Sequence, residues 1–187
     1  MKRKSTSLFA ASVLLLLLAS ATAAQTQYTE LPNFYQINEN LYRGAQPKSG
    51  GIEKLVELGI KTIINLRDDD ERALSEGREA QAAGLRYFNV PLARQARPTD
   101  AQVEQVLSLI NAAENQPVFI HCKRGSDRTG TIIAVYRIEH DGWMEEEARE
   151  EAERHGMFWW KIQMKSYIRG YVRRSKEATL TTAENRP

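Results

Sequence analysis

Short apolar runs alternate with amphipathic stretches over most of the chain. Runs rich in β-branched and aromatic residues predict buried strands, and apolar residues spaced three and four apart predict helices. After a hairpin over 34–47, the predicted strands cover 61–66, 85–92 and 118–120. The predicted helices cover 52–58, 68–83 (a polar helix, or a loop with a helix), 99–114, a stretch from 131 onward, 145–154 and 158–174. This order predicts an α/β domain with a central, mostly parallel sheet flanked by helices.

Residues 121–130, with the sequence HCKRGSDRTG, join the 118–120 strand to the apolar helix that follows it. A tight loop that leaves a strand and opens a helix points its amides and the first free helical N–H groups at one spot, where an anion binds. Gly125 lets the backbone close around an oxyanion without a Cβ in the way. Arg128, on the first helical turn, adds a planar set of donors that fits a phosphate. The loop therefore predicts a phosphate site.

Cys122 lies at the start of this loop. A free thiol titrates near ~8.5, but a helix N-terminus and a nearby arginine favour the thiolate, with values down to roughly 3.5–7.5. One loop would then hold a phosphate and aim a nucleophile at its phosphorus. The alternatives are a buried structural cysteine and a module that binds phosphate without turnover. The presence of both Cys122 and Arg128 favours catalysis over the binding module.

The pattern H-C-x-x-G-x-x-R-T-G resembles the signature of the cysteine-dependent protein tyrosine phosphatase superfamily, and LYRGAQP over 41–47 resembles the opening of its compact dual-specificity branch. The resemblance implies a tyrosine-phosphatase-like domain over 28–175, a phosphocysteine intermediate, and neither cofactor nor metal ion. It implies that Cys122 attacks phosphorus, Arg128 holds the phosphoryl oxygens, Thr129 eases departure of the thiolate and His121 orders the loop. The other predicted substrate-binding residues are Lys123, Arg124, Gly125 and Ser126. His121, Thr129 and Gly130 favour a phosphatase over the sulfur and arsenate enzymes that also use C-x5-R loops.

The general acid is less well defined, because the stretch 89–94, where the family usually places its aspartate, holds neither Asp nor Glu. Some members of the superfamily carry an aspartate inside the loop, so the resemblance implies Asp127 as the acid. The alternatives are the Asp68–Asp70 run, which follows a predicted strand, Asp100, which is also a helix cap, and a mechanism without a general acid for a good leaving group. Asp127 has a structural alternative too, an ion pair that holds Arg128.

Lys123 and Arg124 make the mouth of the loop cationic, which favours substrates with several phosphates. The expected partners are a phosphorylated protein, a phosphoinositide or an inositol phosphate, and the motif does not separate them. The net charge of +2 gives no support for a nucleic-acid partner. The sequence MFWW at 157–160 is expected to pack in the core, with a lid or a membrane-touching patch as the alternative.

The N-terminus has the pattern of a secretory signal peptide over 1–23: three cations at 2–4, an apolar run over 8–19 and the small residues ATA at 21–23. The run is shorter than the ~20 residues that a membrane-spanning helix needs, and an uncleaved anchor is the alternative. We therefore expect export to the periplasm or outside the cell. With one cysteine the chain forms no internal disulfide. Residues 176–187 form a polar tail.

Overall fold

A computed structural model describes residues 27–172 and residue 174. The predicted signal peptide and the polar tail lie outside these residues. Within the described part of the chain, no helix has the length and apolar character to cross a bilayer.

The sheet has five strands in the order β1-β2-β5-β3-β4. The strands are β1 (Tyr35–Asn38), β2 (Leu41–Ala45), β3 (Thr62–Asn65), β4 (Arg86–Asn89) and β5 (Val118–Cys122). β1 pairs antiparallel with β2, and every other pairing is parallel. The predicted mostly parallel sheet is therefore confirmed, and β5 lies at its centre.

Six helices flank the sheet in the described residues. They are α1 (Gly51–Glu57), α2 (Glu71–Ala82), α3 (Asp100–Asn111), α4 (Asp127–His140), α5 (Glu145–Arg154) and α6 (Ile162–Arg169). Side-chain caps fix the N-termini of two of these helices. Asp70 accepts from the Ala73 amide at the start of α2, and Thr99 forms a capping box with Gln102 at the start of α3. The helix predicted to reach 114 ends earlier, because a short 3-10 turn covers Ala113–Asn115.

β5 is buried along its whole length and separates two apolar layers. Ile120 and Cys122 face the layer formed with α3 and α4, whereas Phe119 faces the layer formed with α1 and the N-terminal segment. Since the strands paired with β5 are parallel to it, their carboxyl ends meet at the edge where β5 ends. This alternation brings Cys122 to that edge on the α4 side of the sheet.

Candidate active site

The loop after β5 is pressed against β2. Gly125 has φ +71°, in the left-handed region that favours glycine. A Cβ there would lie 2.4 Å from the carbonyl carbon and oxygen of Gly44. No side chain fits in that gap, so the tight path of the loop depends on glycine at 125.

The Cys122 thiol is buried at the base of this loop, with 3% of its surface exposed. Burial opposes its ionisation, but the hydroxyl and amide of Thr129, the charge of Arg128 and the amide of Arg124 outweigh burial and lower the thiol pKa below its ordinary value. The Thr129 hydroxyl has no other hydrogen-bond partner in the described residues. These contacts therefore shift the equilibrium of the Cys122 thiol toward the thiolate.

Arg128 is held in place by carbonyl groups at the ends of two strands. Its Nη1 donates to the carbonyl oxygens of Leu66, at 3.1 Å, and Leu92, at 3.3 Å. Both contacts are made by Nη1, one of the three nitrogens of the guanidinium. The guanidinium is thus fixed before a phosphate arrives.

His121 lies beneath the loop and is fully buried. Its Nε2 is 3.1 Å from Oε1 of Glu76 on α2, and its Nδ1 is 3.4 Å from the Cys122 carbonyl oxygen. Glu76 also accepts from Asn65 Nδ2 at 3.0 Å and from the Tyr87 hydroxyl at 3.3 Å. Burial opposes ionisation of Glu76, but His121 and hydrogen bonds from Gln46 and Tyr87 outweigh it and lower the pKa of the carboxyl. Glu76 is a site residue that the sequence analysis missed.

Asp127 is buried and paired with a cation other than the one expected. Its Oδ2 accepts from Arg124 Nη2 at 2.9 Å, and its Oδ1 accepts from the Phe158 amide at 3.1 Å. Lys161 Nζ lies 3.8 Å from the same Oδ2. The ion pair therefore connects Asp127 with Arg124, not with Arg128 as the structural alternative supposed.

The other candidate acids differ in their positions. Asp68 is exposed, 3.9 Å from Arg128 Nη1 and 3.8 Å from Arg94 Nε. Asp70 caps α2, and Asp100 accepts from the Tyr167 hydroxyl at 2.7 Å. Of these three, only Asp68 approaches Arg128. In the described residues, no group of His, Cys, Asp or Glu side chains is placed to hold a metal ion.

The loop forms the base of a cavity of about 440 Å³. The cavity is lined by Arg94, Gln95, Cys122, Lys123, Arg124, Ser126, Asp127, Arg128, Trp160 and Lys161. Five of these side chains are cationic and one is a carboxylate. A larger cavity of about 640 Å³ lies between residues 46–50 and α2, and Cys122 does not line it. The cationic cavity is therefore the one that contains Cys122 and Arg128.

An aromatic loop forms one wall of this cavity. The rings of Phe158 and Trp160 stack with their centroids 4.2 Å apart. The Arg124 guanidinium lies 4.3 Å from the centroid of the Phe158 ring. Met157 is buried as expected, but Trp159 is 78% exposed and Trp160 is 50% exposed. The expectation of core packing is wrong for both tryptophans, because the turn between α5 and α6 directs them outward.

Comparison with known proteins decides the family. A family model described as "DSP-PTPase phosphatase fused to NAD+ Kinase" matches residues 22–170. This chain belongs to that family. It is a cysteine-dependent phosphatase of the dual-specificity and tyrosine phosphatase type.

Two curated relatives and one crystal structure indicate the range of this phosphatase family. Dual specificity protein phosphatase TpbA of Pseudomonas aeruginosa is 35% identical over 162 residues, which cover 79% of this chain and 71% of that protein. The crystal structure of a cysteine-to-serine variant of TpbA in complex with phosphotyrosine has a TM-score of 0.64 and 33% identity, covering 74% of this chain and 83% of that chain. Inositol diphosphatase DSP2 of Oryza sativa subsp. japonica is 27% identical over 112 residues, 56% of this chain and 53% of that protein.

Proposed function

We propose that this phosphatase hydrolyses phosphotyrosine and related phosphomonoesters through a phosphocysteine intermediate. The observation that carries the proposal is the buried Cys122 thiol, whose pKa is lowered at the base of a cradle that ends in Arg128. The thiolate attacks phosphorus, an S–P bond forms, and the P–O bond to the leaving group breaks. Water then attacks phosphorus, the S–P bond breaks, and the Thr129 hydroxyl supports the departing thiolate.

The leaving oxygen needs a proton in the first step. We assign this role to Asp127, because its carboxyl lines the same cavity as Cys122. Its contacts with Arg124 and the Phe158 amide fix the position of the carboxyl. Asp68, beside Arg128, is the competing candidate.

The aromatic wall supports an aryl phosphate as the substrate. Trp160 lines the cavity and offers a flat surface on which the ring of phosphotyrosine can stack. The structure of TpbA with bound phosphotyrosine supports the same substrate class. Five cationic side chains around the cavity favour a second candidate, an inositol polyphosphate or phosphoinositide, whose additional phosphates they would bind.

Replacing Trp160 by alanine tests this choice. We expect kcat/KM for a phosphotyrosine peptide to fall about three- to tenfold, since an aromatic pair contributes about 0.5–1.5 kcal/mol, with little change for inositol hexakisphosphate. Trp159→Ala is the matched control, because Trp159 is exposed and does not line the cavity. Both variants are measured on phosphotyrosine peptides, phosphoserine peptides, phosphoinositides and inositol polyphosphates. A wild type that prefers inositol polyphosphates and is insensitive to Trp160→Ala would contradict the phosphotyrosine assignment.

We further propose that the phosphatase acts outside the cytoplasm, on the basis of the signal-peptide pattern over 1–23. The full-length chain, produced in a Gram-negative host, should be recovered from the periplasm or the medium with its N-terminus after Ala23. N-terminal sequencing of each fraction measures this. Recovery of the intact N-terminus in the cytosol would contradict export, and recovery in the membrane fraction would indicate an uncleaved anchor.

A further inference from the structure

Three successive carbonyl groups of the phosphate loop are held from outside by the N-terminal hairpin region. The Lys123 carbonyl accepts from the Gln46 amide at 3.5 Å. The Arg124 carbonyl accepts from Asn33 Nδ2 at 3.0 Å, and the Gly125 carbonyl accepts from Arg43 Nη2 at 2.7 Å. We call these three donors, Asn33, Arg43 and Gln46, the carbonyl clamp.

The clamp determines which way the loop amides point. In a planar trans peptide the C=O and the following N–H point in opposite directions. Holding the three carbonyls from outside therefore turns the amides of Arg124, Gly125 and Ser126 toward the inside of the loop. The Arg124 amide indeed contacts the Cys122 thiol, and Ser126 lines the active-site cavity.

Arg43 is an unusual member of the clamp, because it is fully buried on β2. Its Nε and Nη1 have no hydrogen-bond partner in the described residues. The nearby carboxylate of Glu151 is instead paired with Arg137 at 2.9 Å. Burial lowers the Arg43 pKa to about 10, so the side chain stays charged at neutral pH. An uncompensated buried charge is costly for stability, which points to a role in the site.

The charged and titratable groups that face Arg43 come from every element packed around it. They are Glu151 on α5, Cys122 on β5, Tyr35 on β1, Arg137 on α4, and His155 after α5. Burial, followed by the charge of Arg43, lowers the His155 pKa to about 4, so this imidazole is neutral at pH 7. Arg43 lies opposite Ile120, two residues before Cys122 on the paired strand, so its side chain and the thiol share one face of the sheet. Since Glu151 is paired with Arg137, Cys122 is the remaining group of this set whose ionised form the charge of Arg43 favours at neutral pH.

Asn33, one of the three clamp residues, has a backbone conformation that few residues other than glycine adopt. Its φ is +53°, and asparagine tolerates this left-handed region better than most residues. Glycine is the one replacement that removes the side-chain donor without backbone strain. Asn33→Gly therefore removes the contact with the Arg124 carbonyl, together with a longer one, of 3.5 Å, to the His155 carbonyl.

We propose that the carbonyl clamp positions the phosphate-binding amides of the loop, and that Arg43, on the same face of the sheet as Cys122, also favours the thiolate. The inference rests on the proposed function, since it concerns the same loop. In this assignment Asn33, Arg43 and Gln46 touch neither substrate nor phosphorus. They act through the backbone of residues 123–125, as positioning residues.

The test compares Arg43→Gln, Arg43→Lys and Asn33→Gly with Gln36→Ala, which removes a hydrogen bond to Tyr42 in the same hairpin region. Two readouts are used: the inhibition constant of vanadate, and the thiol pKa from the pH dependence of iodoacetamide alkylation, which reports on one site because the chain has one cysteine. For Arg43→Gln we expect vanadate to bind about tenfold more weakly and the thiol pKa to rise by about one unit. Arg43→Lys keeps the charge and should restore the thiol pKa.

Asn33→Gly should weaken vanadate binding several-fold while leaving the thiol pKa in place, and Gln36→Ala should change neither. If Arg43→Gln lowers the melting temperature but keeps both wild-type values, its role is structural and the proposal is overturned. If Arg43→Gln does not fold, the proposal is tested with Asn33→Gly alone. Unchanged vanadate inhibition in that variant would overturn the proposal that the clamp positions the loop amides. A wild type with a depressed thiol pKa that hydrolyses no phosphomonoester would overturn the proposed function alone, because alkylation reads the loop without turnover.

Discussion

Replacing Cys122 by serine is expected to reduce phosphate release by roughly 10⁴-fold or more while phosphotyrosine still binds. The loop lowers the pKa of a thiol through Thr129, Arg128 and the Arg124 amide. A serine hydroxyl ionises far less readily, so the same contacts leave it protonated. The amides and Arg128 are unchanged by the substitution, and they keep their affinity for the phosphoryl group. The measurements are turnover of p-nitrophenyl phosphate and calorimetric binding of a phosphotyrosine peptide.

Two results would contradict the nucleophile assignment. If Cys122→Ser kept more than a tenth of wild-type turnover, a phosphocysteine intermediate at Cys122 would be ruled out. A wild type that binds the phosphopeptide but releases no phosphate would instead indicate a recognition module. Cys122→Ala is the control, because it removes the serine oxygen as a weak nucleophile. The lowered pKa of Cys122 also predicts the direction of the pH dependence. Inactivation by iodoacetamide should persist at pH values below the ordinary thiol range, and it should be lost at still lower pH, where the thiolate is protonated.

The sequence was sufficient for the parts of the site that depend on local pattern. The strand that ends at Cys122, the glycine at 125 and Arg128 on the first turn of α4 all lie within residues 118–128, so their spacing determines their geometry. The mostly parallel sheet was also predictable, because strands that alternate with helices form a parallel sheet. These features need no knowledge of distant residues.

What the sequence could not reveal depends on packing between distant segments. Glu76 lies in a polar helix, and its burial beside His121 follows only from how α2 packs on the sheet. Arg43 belongs to a segment that fits an ordinary edge hairpin, yet β2 pairs with β5 and places this arginine under the loop. Trp159 and Trp160 have the composition of core residues, but a turn exposes them. In each case a tertiary contact overrides the local preference.

The same limit applies to the general acid, which spacing could not assign, and a pair of substitutions separates the two candidates. Asp127→Asn should lower turnover about 10²-fold for an alkyl or peptide phosphate, whose leaving oxygen needs a proton, but only a few-fold for p-nitrophenyl phosphate, whose leaving group departs as the anion. Asparagine keeps an oxygen that can accept from the Phe158 amide, so the wall of the cavity is preserved. Asp68→Asn is the matched variant, because Asp68 is exposed and lies beside Arg128 rather than Arg124.

The measurement is kcat/KM on a series of aryl and alkyl phosphates, plotted against the pKa of the leaving group, because kcat/KM reports the step in which that group departs. If Asp127 donates the proton, its removal steepens the plot, whereas Asp68→Asn keeps the wild-type slope. A steeper plot for Asp68→Asn with a wild-type slope for Asp127→Asn would assign the acid to Asp68, in the loop after β3. Asp127 would then only connect Arg124 with the Phe158 amide. Equal losses across the series in Asp127→Asn would show that this carboxyl positions the aromatic wall without transferring a proton, because a positioning defect does not depend on the leaving group.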